Sequence, residues 1–340
     1  MTKKVVTMGE LLMRLSTPGY QRFTQAQSFD VVYGGAEANV AVSLSNYGLN
    51  SYFVTQLPDN PIGQSADNYL KKYGVNTDYV VKAGDRVGIY FFEKGTSVRP
   101  SKVVYDRANS AITKADIEKF DFDEIFKDAD WFHFSGITPA LGENCIKLVE
   151  KAVEAAKKHG VPISVDLNYR KQLWDVEQFE AVMPKLIENA DVCIGWLSSI
   201  EEKQKEYKLA DFAKDSFDEE RFKELFSRMR EKYNLKYVVT TLRENYSATH
   251  NGLAAIIYDG KELYKSKKYD FSIQDRVGAG DAFAAGLIYQ LVLNKDHKEA
   301  LDFAVAASVL KHTIDGDFNV VTENEVMELV KGNTSGSVQR

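Results

Sequence analysis

An α/β fold with a mostly parallel central sheet and a small β lid is predicted by three observations. Short β-branched runs alternate with helical periods, two regions interrupt that rhythm with hairpin-like strands, and no linker or internal repeat splits the chain. The 340 residues are 44% apolar and 27% charged, which is globular composition with enough apolar side chain for a large core. One continuous domain over residues 1–331 is expected, followed by a small, polar, disordered tail at 332–340.

The first strand is expected at Lys4 to Met8, and the region 13–33 that follows breaks the βαβ rhythm. Gly34-Gly35 then opens an apolar helix, and Tyr52 to Gln56 reads as the next main strand. A second interruption spans 87–107, where Gly88 to Phe92 and Lys102 to Tyr105 flank a polar turn at Gly95 to Pro100. Both interruptions read as antiparallel strands that cannot bury both faces alone. They are expected to form a small projecting sheet, either a lid or a dimer surface. Further strands are expected at Trp131 to Ser135, Pro162 to Asp166, Val192 to Gly195 and Tyr237 to Thr241. Between them, Asn144 to His159 carries Ile146, Val149, Ala152, Val153 and Ala156 on one face and ends at Gly160 with Pro162 beyond. Ala282 to Leu293 is too short to span a bilayer and reads as a buried helix.

The net charge of −6 arises from interspersed acids and bases without a basic stripe, which argues against nucleic acid and for a small ligand. Cys145 and Cys193 are too few for a disulfide framework and suit a reducing compartment. Glu10 and Arg14 interrupt any apolar leader after Lys3-Lys4-Val5-Val6, so a cytoplasmic protein with no membrane partner is expected.

The strongest local signal is Asp275-Arg276-Val277-Gly278-Ala279-Gly280-Asp281, directly before the buried helix. Small residues at 278–280 would let unpaired amides at a helix start approach a phosphate, with the macrodipole adding positive potential. The plainer alternative is a glycine turn with Asp281 as a dipole-favoured first-turn acid. Yet an ionised Asp281 would repel a resting phosphate, so its position suggests chemistry: a carboxylate accepting the proton of a hydroxyl that attacks a phosphoryl group. Neither a Walker motif nor a dinucleotide fingerprint is present, and the five histidines lack metalloprotease spacing. In a second cluster, Gly34, Gly35 and Asn39 either admit a sugar to the backbone and an amide, or form a turn with a polar helix end.

Together, Gly34-Gly35-x-x-x-Asn39-x-Ala41 and Asp275-x-Val277-Gly278-Ala279-Gly280-Asp281 resemble, in order and separation, the two signatures of the ribokinase-like, or PfkB, carbohydrate kinases. The resemblance covers nearly the whole chain, including Asp59-x-x-x-Gly63 and the inserted lid strands. It implies a three-layer α/β/α ribokinase-like fold, ATP and Mg²⁺ as cofactors, and Asp281 as catalytic base beside the Gly278-Ala279-Gly280 anion turn. Within the family the sequence is most similar to 2-keto-3-deoxygluconate kinases, through Tyr90, Tyr105-x-Arg107-x-x-Ser110-Ala111, Asn168-Tyr169-Arg170 and Asp317. By that resemblance Gly34, Gly35, Asn39, Tyr90, Tyr105, Arg107, Arg170, Asp281 and Asp317 bind an acid sugar. Chemistry agrees: two arginines are superfluous for a neutral hexose but suit a carboxylate, although each alone also fits a solvated surface residue.

On the nucleotide side the resemblance assigns Asn168, Ser198, Thr240, Leu242 and Arg243 to the cofactor, and Glu201 to magnesium-bound water or, equally, to a solvated first turn. Where the family places a glycine-containing turn after the strand at 237–241, this chain has Leu242-Arg243-Glu244-Asn245-Tyr246-Ser247. The expected reaction is ATP-dependent phosphorylation of 2-keto-3-deoxygluconate at its terminal hydroxyl. A fructokinase or other neutral-sugar kinase and a nonenzymatic sugar-binding regulator are the rivals. Apolar lid faces around Ile89 to Phe92 and Val103 to Tyr105 predict a homodimer or larger even assembly.

Overall fold

Strands whose two faces are both apolar must be covered on both sides, and a parallel sheet between helical layers provides that cover. The computed structural model describes residues 2–200 and 218–333. The first part of the chain contributes β1 (Lys4–Met8), β2 (Leu12–Ser16), β3 (Asp30–Gly34), α1 (Ala36–Asn46), β4 (Asn50–Leu57), α2 (Pro61–Lys72), β5 (Val80–Lys82), β6 (Gly88–Glu93) and β7 (Lys102–Asp106). The middle contributes α3 (Phe122–Phe126), β8 (Trp131–Ser135), α4 (Glu143–Lys158), β9 (Ile163–Asp166), α5 (Val176–Ile187) and β10 (Val192–Ile194). The last part contributes α6 (Glu219–Tyr233), β11 (Tyr237–Ser247), β12 (His250–Tyr258), β13 (Leu263–Lys265), β14 (Tyr269–Ser272), α7 (Ala279–Val292), α8 (His297–Lys311) and α9 (Glu323–Val330).

Among the described residues the main sheet runs β13-β12-β11-β10-β9-β8-β1-β4-β5, with β14 also paired to β12. From β11 to β5 every neighbour is parallel. β8 shows the two-sided burial: Phe132 and Phe134 join one core with Leu148, Val149, Phe179, Met183, Phe222 and Phe226 of α4 to α6. Trp131, of alternate parity, joins the other with Val40, Leu44, Phe283, Leu287, Phe303 and Val326 of α1 and α7 to α9. The buried face of α4 is Cys145, Leu148, Val149, Ala152, Val153 and Ala156, so Ile146 is half-exposed rather than central. Both cysteines are buried and free. No helix among the described residues is long and apolar enough to cross a membrane.

The lid is a four-stranded sheet, β3-β2-β6-β7. Its outer pairs are antiparallel as expected, but the central pair β2–β6 is parallel, with Arg14 opposite Tyr90. The reason is that β2 follows β1 and β6 follows β5, so both leave the carboxyl ends of parallel strands and travel the same way. The strand expected at 237–241 also differs: β11 continues to Ser247 and pairs antiparallel with β12, which removes the turn expected after Thr241. At the C-terminus, the amides of Gly332 and Asn333 donate to Leu329 and Glu328 carbonyls at 3.0 Å, so order extends past 331 to 333. Residues 334–340, and with them most of the expected tail, lie outside the described residues.

Candidate active site

β1 lies between β8 and β4, so the chain order reverses there, and crevices outside the strand carboxyl ends at such points are where α/β folds bind ligands. A cleft of about 770 Å³ occupies that position. Glu10 after β1, Ile137 after β8, Asp166, Asn168 and Arg170 at the end of β9, and Thr241, Arg243 and Asn245 of β11 line it. The helix starts supply Gly35, Glu37, Asn39, Gly278, Gly280 and Asp281, and the lid covers it with Leu12, Tyr90, Val103, Tyr105 and Arg107. A neighbouring groove of about 810 Å³ shares Val103, Tyr105 and Arg107 but lacks Asp281 and the glycine turn.

Gly278 caps α7 in the left-handed region at φ 80°, and a Cβ there would lie 1.9 Å from the Asp317 carbonyl oxygen. Ala279 is buried beneath the turn, while Gly280 is exposed and a Cβ there would meet nothing within 4 Å. The start of α7 therefore presents bare backbone to the cleft, as an anion site requires. Asp281 stands one residue further, and Asn39 Nδ2 donates to its Oδ2 at 2.6 Å. Burial pushes the Asp281 carboxyl up to about 7, against the Asn39 hydrogen bond and with the negative charges of Asp166 and Glu37. Glu37 is itself pushed up to about 7 by burial; Ser135 N, Ser135 Oγ and Thr138 Oγ1 all donate to its Oε1. Burial likewise raises Asp166 to about 6, opposed by Arg170 and by the Asn168 amide, which donates to Oδ1 at 3.0 Å.

Several side chains expected to meet a ligand directly also bond to protein partners where they line the cleft. Asn39, on the cleft wall, uses its Nδ2 on Asp281 and its Oδ1 to accept from Gly35 N at 3.2 Å, and so orients the carboxylate. Arg107 donates from Nε to Glu10 Oε2 at 2.8 Å and also pairs with it through Nη2, while Ser110 Oγ donates to Oε1. Glu10 is 3% exposed, so a buried carboxylate already claims the Arg107 charge. Tyr90 donates to Asp317, and Asp317 also accepts from Arg14 Nη1 at 2.8 Å, while both residues line the cleft. Gly34 and Gly35 serve close packing: a Cβ at either would lie 2.0 Å from Asp317 Oδ2 or Glu10 O respectively.

The guanidinium groups of Arg170, exposed on the cleft wall, and of Arg243 have no hydrogen-bonded or ion-paired partner among the described residues. Burial, then the positive charges of Arg276 and Arg170, lower the Arg243 pKa. Arg276 donates to the Ala248 carbonyl at 3.0 Å. Strand alternation settles the side of β11: Thr241, Arg243 and Asn245 face the cleft, whereas Thr240 and Leu242 are buried on the other side, Leu242 in the core. Ser198 is exposed outside the cleft lining, and Glu201 lies outside the described residues. No group of three or more His, Cys, Asp or Glu side chains among the described residues could hold a metal. Sequence reasoning overlooked Glu10, Arg14, Glu37 and Asp166 as site residues; Glu10 and Asp166 carry the signal of a carboxylate at the end of a core strand.

The family model for pfkB family carbohydrate kinases matches residues 2–319, and the chain belongs to that family of sugar phosphotransferases. It is 46% identical to the solved 2-dehydro-3-deoxygluconokinase of Thermotoga maritima, with a TM-score of 0.90 over 97% of this chain and 100% of that one. A PfkB family carbohydrate kinase from Listeria grayi is 36% identical over 97% and 100% of the two chains, with a TM-score of 0.88. The 2-dehydro-3-deoxygalactonokinase of Haloferax volcanii is 32% identical over 99% of each chain. The ribokinase-like α/β architecture with a separate small sheet is thus the family's own.

Proposed function

We propose that this carbohydrate kinase transfers the γ-phosphoryl group of MgATP to the terminal hydroxyl of 2-keto-3-deoxygluconate, giving the 6-phospho sugar acid and MgADP. One observation carries the choice of an acid substrate: the Arg170 guanidinium, in the field of Asp166 but with no ion-paired or hydrogen-bonded partner among the described residues, stands on the wall of the cleft that holds Asp281. A free guanidinium recognises a carboxylate and gains nothing from a neutral hexose. The relatives named for 2-dehydro-3-deoxy sugar acids support the same class.

In this reading the acid sugar lies under the lid with its carboxylate toward Arg170 and its terminal hydroxyl at Asp281. Asp281, held by Asn39, accepts the hydroxyl proton as the oxygen attacks, and a carboxyl pushed up to about 7 is a fitting base near neutral pH. The amides at Gly278 to Gly280 receive the charge on the transferring oxygens, with Arg243 of the same cleft for the polyphosphate. The unpartnered Arg243 and the bare turn fit a nucleoside triphosphate; Mg²⁺, when bound with it, would supply charge neutralisation. The test is ADP release with MgATP across 2-keto-3-deoxygluconate, 2-keto-3-deoxygalactonate and fructose. Turnover of the sugar acids with little on fructose is expected; a preference for fructose would overturn the reading.

A further inference from the structure

Arg14 belongs to a lid strand, yet it is 2% exposed, between two carboxylates of the body that are 2% and 4% exposed. Its Nη2 donates to Asp275 Oδ2 at 2.7 Å and its Nη1 to Asp317 Oδ1 at 2.8 Å, with the guanidinium 4.2 Å above the Phe92 ring of β6. Asp275 holds the anion turn from below: its Oδ1 accepts from Val277 N at 3.0 Å and its Oδ2 from Gly316 N at 3.1 Å. Asp317 abuts the same turn through its carbonyl, which would touch a Cβ on Gly278, and accepts the Tyr90 hydroxyl from β6. Buried Lys311 donates to Ile314 O at 2.9 Å in the neighbourhood of the two carboxylates; burial lowers its pKa, and the charges of Asp275 and Asp317 oppose that shift. One guanidinium therefore joins both central lid strands to both segments that shape the Gly278 turn.

We infer that Arg14 is a positioning residue for phosphoryl transfer, linking the seating of the lid to the placement of the Gly278 turn and Asp281. This rests on the phosphoryl-transfer reading of that turn. Asp275 is fixed to the turn by the amides of Val277 and Gly316, and Asp317 by its own backbone, whose carbonyl abuts Gly278, so displacement of β2 pulls on the turn itself. Two contacts reinforce the linkage: Lys94 at the end of β6 pairs with Asp315, and Ala248 N donates to Ser97 O of the lid tip at 2.8 Å. A planar two-pronged donor is needed, because a lysine could satisfy only one carboxylate in this geometry.

The experiment compares wild type with Arg14→Lys by hydrogen exchange and by steady-state kinetics. MgADP alone, which engages the turn but not the sugar site, is expected to slow amide exchange in β2 and β6 of the wild type. In Arg14→Lys that protection is expected to fall about 5- to 100-fold, with kcat on the sugar acid reduced over a similar range. A variant with a lower melting temperature but unchanged protection and kcat would make Arg14 merely structural and overturn the inference, as would absence of MgADP-induced protection in wild type. If Arg14→Lys does not fold, Tyr90→Phe removes one donor to the same Asp317 and must also weaken the protection; full protection there overturns the inference. Failure of the proposed substrate appears separately, as no wild-type turnover on sugar acids, while the exchange comparison still reads the linkage.

Discussion

Replacing Asp281 by Asn keeps the side chain's shape and removes its ability to take a proton, so kcat on the sugar acid should fall ~10²- to 10⁴-fold while sugar binding persists. The check is kcat together with a binding isotherm on the folded variant; near-normal turnover would remove Asp281 from the base role. The same residue sets a pH dependence of stability. Asp281 and Glu37 are raised to about 7, so the folded chain keeps protons that the unfolded chain, at ordinary carboxylate values, has lost. Stability contributed by these groups is therefore lost as pH rises from about 4 through 7, and the melting temperature of ligand-free Asp281→Asn should decline less across that window than wild type. The two arginines should also separate. Arg170→Ala is expected to lower kcat/KM for the acid ~10- to 100-fold with little change on fructose. Arg107→Ala, by stranding the buried Glu10 carboxylate, should lower the melting temperature as well, a distinction calorimetry resolves. These residues were legible as a set because signature spacing marks them. Their pairings were not: Arg14 and Asp317 are 303 positions apart, and nothing local in either stretch announces the other.

The lid sheet shows what strand patterns can and cannot carry. Apolar alternation located β6 and β7 within a residue of their ends, but the parallel β2–β6 pairing depends on each insertion leaving the carboxyl end of a parallel strand of the main sheet. That pairing aligns Val31, Leu15, Phe91 and Val104 in one row across the outer face, with Val31 and Val104 each 53% exposed. We propose that this row mates with a second copy. Sedimentation should give a dimer or larger even assembly, Val104→Glu should shift it toward monomer, and a fully active micromolar monomer would refute the assembly. The start of α7 supports a paired test. Gly278→Ala meets both a left-handed backbone and the Asp317 carbonyl, and should cost roughly 1–3 kcal/mol, read by denaturant unfolding. Gly280→Ala enters open space and should leave stability near wild type while affecting activity through the anion path.

At the scale of the whole molecule, the order of strands was the least legible property. Alternation of β and α segments implies a parallel sheet, but the placement of β1 between β8 and β4 follows from long-range packing on two faces, which no segment states by itself. The extent of β11 was hidden for a related reason: with no glycine after Thr241, the chain simply continues as a strand to Ser247 and puts its turn beyond the site. One result of that length is that the β11–β12 turn reaches the lid tip, where Ala248 N meets Ser97 O. The strand that carries Arg243 and the lid sheet that covers the cleft are latched together there, so an opening motion of the lid must break that backbone hydrogen bond. Departure of the two products then shares one opening motion through solvent, and turnover on the best substrate should slow in proportion to added microviscogen. A poor substrate, limited by its bond-making step, should be indifferent to it.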